Sequence, residues 1–375
     1  MTRVRHVAFV IDSDAYGGAA AHTGLLARHL PGDARRTIVA SEPVAALVRD
    51  AVGRAAEVIT VPLTRGRETA PALLHTLRAL APDVVHVNLI DPGSNTAALA
   101  TATRVAPTVA TLHMTGALPV TLAGAYRDVA FATAPSVEVA AQLRLLLPGQ
   151  RVVRVRSGVD LPPCPVPTRD EHPVVIGAVG RLTPRKGFDV LLEAVARMMA
   201  GSGPPFRVAI AGAGREAENL AREARYLPVT FFGHIRDVPA LLRGVDVFCL
   251  PSRHESLSLA LLEAMAHGLP CVTTPVGDTV SEVRRAALVV PPDDPPALAA
   301  ALHRLCSDPG LRLELGLRAR DRAVEAFDAR RMAAETAALL RHAASSRRPS
   351  PARRARRAAR RPGQPDRPDT STGRA

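Results

Sequence analysis

The sequence predicts an α/β fold of two Rossmann-like domains facing each other across a cleft. C-terminal helices would return to the first domain, and a basic tail would follow them. Three observations carry this prediction. Short apolar runs alternate with helical patterns along most of the chain, a Pro-rich stretch interrupts the rhythm near the middle, and the rhythm then restarts. The expected boundaries are 1–165 for the first domain and 166–328 for the second. A closing helix is expected over 329–345 and an Arg/Pro-rich tail, expected to be disordered, over 346–375.

In the first half the strand candidates are VRHVAFVID, RTIVAS, EVITVP, DVVHVNL, TVATLH, VAFATAP and RVVRVRSG. Helical patterns separate several of them: AAHTGLLARHL, PALLHTLRAL, NTAALATAT and VEVAAQLRLLL. Near-continuous apolar strands separated by helices indicate a parallel sheet covered on both faces. The stretch DLPPCPVPTRDEHP, residues 160–173, reads as the interdomain linker. Beyond it VVIGAVG, FRVAIAG, VTFFG, VDVFCLPS, PCVTTP and ALVVPP each precede a helical pattern, and two helices near 310–325 and 330–344 close the fold. Ligands of such sheets bind beyond the carboxyl ends of the strands, so the strand-to-helix loops are where chemistry is expected.

Composition narrows the function classes. The 375 residues contain no apolar run near the ~20 residues of a spanning helix, and MTRVRHVAFVID is too short an apolar run for a signal peptide. A cytoplasmic protein is expected, with peripheral contact at the inner membrane face left open. Cys164, Cys249, Cys271 and Cys306 form no CxxC pair and lie in or near apolar runs, as buried free thiols do. The net charge of +13 is concentrated in the tail, where residues 346–375 hold ten Arg and two Asp. That segment has almost no large apolar residue to bury and is expected to stay unfolded. A basic tail of this kind can make weak contact with an anionic membrane surface. With no Trp and three Tyr, a base-stacking nucleic-acid surface is not expected.

Among 47 arginines the chain has one lysine, Lys186, in the loop GRLTPRKG after VVIGAVG. Arg181 and Lys186 stand before a helix start, where unpaired N–H groups favour an anion, and two cations five apart suit a diphosphate. The loop is not a Walker A motif, because the lysine precedes the glycine. Lysine supplies a compact charge with rotatable donors where a planar guanidinium would not fit. The alternative is a solvated loop with scattered charge. In SRHESLSLALLEAMAHGLP, Glu255 and Glu263 are eight apart, Glu255 in the approach to a helix and Glu263 on it. At ~1.5 Å per helical residue their carboxylates are on the order of 10 Å apart. That is too far to share a metal and suited to hydroxyl-bearing rings on either side of a diphosphate.

Together these loops resemble the retaining glycosyltransferases of family 4, whose fold is GT-B. The matching elements are GAVGRLTPRKGFDVLLEA, the pair Glu255 and Glu263, VTFFGH, VDVFCLPS and TPVGDTVSEV. In the first half they are IDSDAYGGAAAHTGLLARHL, DVVHVNL, TLHMTG and RVRSGVD. The resemblance spans roughly residues 5 to 340. It implies metal-independent transfer of a sugar, a hexose by expectation, from a nucleotide-diphosphate sugar to an acceptor hydroxyl, with no cofactor. The first domain would then be the acceptor side. The resemblance implies that Arg181 and Lys186 bind the diphosphate, with Gly17 and Gly18 approaching it from the first domain. Backbone groups around Ser258 and Leu259 would cradle phosphate. Glu263 would hold the ribose, and Glu255 would contact the transferred sugar. The base would lie near His234 and Ile235, and His113 would face the sugar or the acceptor. The acceptor itself, whether small molecule, lipid-linked or cell-wall precursor, is left open. The chain departs from the family pattern at Ser256-Leu257-Ser258, where Gly-Phe-Gly is common, and at Gly277-Asp278, where Gly-Gly is common.

Other polar residues admit plainer roles. His86, inside DVVHVNL, is expected to be a packed core histidine. Asp12 and Asp14 resemble a metal-binding Asp-x-Asp, but at the end of a strand before Gly17 loop and capping roles are commoner. AIAGAGREAENL carries G-x-G-x-x-A, which leaves an NAD(P)-binding oxidoreductase as one rival. No acidic residue ends the next strand where such a site needs it. A GT-B sugar-nucleotide epimerase and a basic nucleic-acid-binding protein are the others.

Overall fold

A computed structural model describes residues 3–63, 70–94, 96–117, 122–163 and 173–345. The tail 346–375, Cys164 and most of the Pro-rich linker lie outside the described residues.

The first sheet has strands β1 (His6–Ile11), β2 (Arg35–Ser41), β3 (Glu57–Val61), β4 (Val84–Leu89), β5 (Thr108–Leu112), β6 (Phe131–Ala134) and β7 (Val152–Arg154). All pairings are parallel, in the order β3-β2-β1-β4-β5-β6-β7. The second sheet has β8 (Val174–Val179), β9 (Phe206–Ala211), β10 (Val229–Phe231), β11 (Val247–Leu250), β12 (Cys271–Thr273) and β13 (Ala287–Val289). It is also parallel, in the order β10-β9-β8-β11-β12-β13. The strand order reverses between β1 and β4 in one sheet and between β8 and β11 in the other. At such a switch point two adjacent loops diverge and open a crevice.

Each run read as a strand forms one. The helix Glu42–Val52 is an addition: Val44, Ala45, Val48 and Val52 recur at helical spacing and are buried. A short helix at Leu122–Tyr126 is another. Both sheets are buried on two faces, as parallel strands require. Phe9 and Ile11 face the helices Gly18–His29 and Ala329–Ser345, while Ala8 and Val10 face the opposite layer. Cys249, Cys271 and Cys306 are free and buried.

The chain passes between the domains twice, and the two passages are bonded to each other. Val159 donates to the Phe327 carbonyl (2.8 Å), and Ala329 donates to the Val159 carbonyl (3.0 Å). The helix Ala329–Ser345 then packs Met332, Ala333, Ala337, Leu340 and Ala343 into the first domain's core. Beside this crossing a Cβ on Gly158 would lie 2.7 Å from the Ala329 backbone. Any side chain there forces the two passages apart. Gly158→Val is expected to lower stability by at least about 2 kcal/mol, as overpacking against rigid backbone does. A urea unfolding midpoint equal to that of the unaltered chain would show that the crossing yields freely.

Candidate nucleotide-sugar site

The loops after β8 and β11, the strands flanking the second domain's switch point, meet face to face. The first carries Arg181, Arg185 and Lys186; the second carries Ser252, Arg253, Glu255 and Ser258. Lys186 and Glu255 are both buried, and the ammonium Nζ lies 2.5 Å from Glu255 Oε1. Ser252 Oγ donates to the same oxygen at 3.2 Å, and Arg185 Nη1 lies 3.9 Å from Oε2. Burial alone would push the Glu255 carboxyl upward. The charge of Lys186, then that of Arg185, then the hydrogen bonds from Lys186 and Ser252 outweigh it, so its pKa falls below the usual carboxylate value.

Glycines make this juxtaposition possible. Gly187 has φ of +66°, and a Cβ there would lie 2.1 Å from the Pro251 carbonyl oxygen. Gly277 has φ of +54°, and its Cβ would lie 2.2 Å from the Glu255 carbonyl oxygen. The Lys186 stem runs along Gly180, where a Cβ would already be 3.4 Å from Cε. Arg253 fastens the two loops from behind. It holds Asp189 through Nη1 and Nη2 (2.8 and 2.7 Å), the Pro184 carbonyl through Nη1 (2.5 Å) and Asp293 through Nε (2.5 Å). The helix Leu259–Ala266 starts directly beyond Glu255. Its N-cap is Ser258, extended and buried, whose hydroxyl makes no capping bond.

The first domain closes the other wall. A Cβ on Gly17 would lie 3.7 Å from Arg181 Nε, so the diphosphate candidate Arg181 stands beside the glycine loop after β1. Gly18 opens the helix Gly18–His29. Tyr16 meets His234 edge to face with centroids 6.1 Å apart. Exposed His234 and half-buried Ile235 therefore stand at the cleft beside Tyr16. Glu263 lies on the helix, half-buried, with Tyr16, Arg28 and Asp160 around it. Burial and the Asp160 charge, partly offset by Arg28, raise its pKa to about 7. Asp160 itself binds Arg28 (2.7 Å) and His29 (2.5 Å) of the first domain.

His113 follows β5 and is buried. Its Nε2 is 3.1 Å from Asn88 Oδ1, and its ring meets His22 at 4.6 Å. Burial, with the nearby His22 and His86, holds its pKa well below the usual histidine value. His113 is therefore a neutral hydrogen-bonding group at pH 7. His86 is the packed core residue expected, bonded to Thr111 (2.8 Å) with its pKa lowered by burial to about 3. Asp12 is buried and Asp14 exposed. The G-x-G stretch after β9 is consumed by loop packing. Cβ atoms on Gly212 and Gly214 would lie 1.8 and 2.2 Å from the carbonyl oxygens of Gly180 and Leu182, which explains the glycines without a dinucleotide.

Sequence reasoning did not single out Tyr16, Arg185, Arg253 or His22 for the site. Arg185 was legible as the neighbour of Lys186. Tyr16 and His22 lie within IDSDAYGGAAAHTGLLARHL and Arg253 within SRHESLSLALLEAMAHGLP, but local pattern does not show their partners, which folding alone brings near.

With this geometry in place, two family models account for most of the chain. Residues 16–162 match Glycosyltransferase Family 4, and residues 173–308 match Glycosyl transferases group 1. The chain belongs to this family of glycosyltransferases. A Rhizobium meliloti lipopolysaccharide core biosynthesis glycosyltransferase is 34% identical over 184 residues, covering 47% of this chain and 50% of that relative. The chain spans about half the length of the curated relatives it matches, or less. Among solved structures, S. aureus TarM crystallised with UDP superposes with a TM-score of 0.76 at 12% identity, covering 90% of this chain and 99% of that one. An Anabaena protein crystallised with UDP and glucose superposes at 0.71 with 18% identity, covering 90% and 100%. The fold is GT-B. Among the described residues no helix is long and apolar enough to cross a membrane.

The raised Glu263 carboxyl makes a pH prediction. An unfolded Glu titrates near its ordinary value, so between there and about 7 the folded chain holds the extra proton, and stability falls as pH rises through that window. Glu263→Gln removes this loss. It is expected to raise the melting temperature at pH 8 by a few degrees relative to the unaltered chain and to leave it nearly unchanged at pH 4. Equal shifts at both pH values would contradict the assignment.

Proposed function

We propose that the chain transfers a sugar from a nucleoside-diphosphate sugar to an acceptor hydroxyl, with retention of anomeric configuration and without a metal. The observation that carries this reading is the buried Lys186–Glu255 pair joining the two switch-point loops, with Arg181 of the first loop beside Gly17 of the opposite domain. Family membership supports the reaction class. The UDP and UDP-with-glucose complexes of proteins sharing the fold support a nucleotide donor.

In this reading Arg181 and Lys186 take the diphosphate, and the main-chain N–H groups after Ser258 add the positive end of a helix. Glu263 accepts from the ribose hydroxyls, and the base lies by His234, Ile235 and Tyr16. Glu255, kept ionised by its cations, faces the sugar and eases positive charge at the anomeric carbon. The bond from that carbon to the diphosphate oxygen breaks as the bond to the acceptor oxygen forms on the same face. The departing diphosphate takes the acceptor's proton. Fixed cations around the departing charge lower the barrier without reorganisation. Neutral His113 would orient a hydroxyl of the sugar or the acceptor. The basic tail remains a candidate for weak contact with an anionic membrane surface.

Calorimetry with UDP and with UDP-glucose tests this. Lys186→Ala is expected to weaken binding at least tenfold, and Lys186→Arg less. Because Lys186→Ala also strands Glu255 without its partner, a melting curve must accompany it. A folded Lys186→Ala chain that binds as tightly as the original would remove the phosphate assignment. Glu255→Gln is expected to keep donor affinity within a few-fold and to slow hydrolysis of UDP-glucose by tenfold or more. An unchanged rate takes Glu255 out of the reaction.

A further inference from the structure

Asp278 is the residue at which the chain departs from the family's common Gly-Gly, and the structure gives its carboxylate a definite place. Oδ2 accepts from the Val137 N–H at 2.5 Å, and Oδ1 accepts from the Glu138 N–H at 3.2 Å. These are the first two N–H groups of the first-domain helix Val137–Leu146, whose own N-cap, Ser136, reaches only Val139 (3.1 Å). Asp278 therefore caps a helix of the opposite domain. Arg154, from β7, lies 3.5 Å from Oδ2 and also pairs with Glu282.

The other end of Asp278 is tied to the reacting region. Its N–H donates to the Ser256 carbonyl at 2.9 Å, and Gly277 packs against the Glu255 backbone. The side chain is buried. One residue thus joins the loop bearing Glu255 to the positive end of a first-domain helix. A carboxylate on unpaired N–H groups at a helix start is a charge-assisted contact. While Asp278 holds them, those donors are unavailable to an anionic acceptor group.

We infer that Asp278 is a positioning residue: it clamps the acceptor-side domain to the Glu255 loop and so sets where an acceptor hydroxyl meets the sugar. What it positions rests on the proposed sugar transfer; the clamp itself does not.

The test is amide hydrogen exchange on the full chain, with UDP affinity measured on the same samples. Asp278→Gly is expected to speed exchange at Val137 and Glu138 by tenfold or more, leave Val139 within twofold, and keep UDP affinity within twofold. Asp278→Asn retains an acceptor oxygen and should restore part of the protection. Val137→Pro, tolerated at a first helical position, removes one of the two donors from the first-domain side and should speed exchange at Glu138. Unchanged exchange in Asp278→Gly would overturn the clamp, as would equal acceleration at Val139, which marks general loosening. A large loss of UDP affinity in Asp278→Gly would overturn the acceptor-side assignment. If the unaltered chain binds no UDP, the donor reading fails while the exchange result still judges the clamp.

Discussion

A lysine and a glutamate, both buried, hold each other at the point where the second sheet reverses its strand order. Neither charge could be buried there alone, since an unpaired buried charge costs several kcal/mol (about 3–5 when one partner is removed). The pair thereby fixes two loops that the chain supplies some seventy residues apart. Other features accommodate it. Gly187 and Gly277 adopt left-handed conformations so that main chain can pass within contact of Pro251 and Glu255, and Gly180 leaves room for the lysine stem. Arg253 clips the same loops together on the outer side through Asp189 and Asp293. Under the proposed function, the incoming diphosphate becomes a second anion for Lys186. The pairing with Glu255 holds that ammonium in place between the two loops.

The cleft also depends on how the two domains are tied. The crossing at Val159 and Phe327–Ala329 is a main-chain contact with no room for a side chain at Gly158, and the helix Ala329–Ser345 anchors the returning chain in the first domain's core. Side-chain contacts add to it: Asp160 with Arg28 and His29, and Asp278 and Glu282 with Arg154 and the helix start at Val137. The first of these lies beside Glu263 and the second beside Glu255. Each carboxylate read from the sequence as flanking a diphosphate is thus adjacent to an interdomain contact. This arrangement couples the loops that carry Glu255 and Glu263 to the relative position of the domains.

Much of this was legible in the sequence because parallel strands buried on both faces leave an unmistakable apolar run. VVIGAVG, VDVFCLPS and DVVHVNL could be little else. The helix Glu42–Val52 carries Val44, Ala45, Val48 and Val52 at helical spacing, but it is short and Pro43 at its start reads as a turn signal. Lys186 was found as the lone lysine in an arginine-rich chain, and Glu255 and Glu263 by their spacing before and within an apolar helix. The sequence could not tell that Lys186 and Glu255 touch. It also could not tell that Tyr16 reaches His234, or that Asp278 departs from the family's glycine in order to cap a helix in the other domain. Those contacts join segments up to 218 residues apart, and local pattern carries no information about such pairing. The family resemblance implies a site role for His113, while its place after β5 equally suits a packed or capping residue. The structure adds that burial disfavours its charged form and that it packs on His22, a pairing that the sequence does not show.

The central claim is that the Lys186–Glu255 pair marks where a diphosphate and its sugar divide. The most direct measurement is a crystal structure of the chain with intact UDP-glucose. The account predicts pyrophosphate oxygens within hydrogen-bonding distance of Lys186 and Arg181, and glucose against Glu255. Pyrophosphate bound away from both cations, with Lys186 still paired only to Glu255, would contradict it.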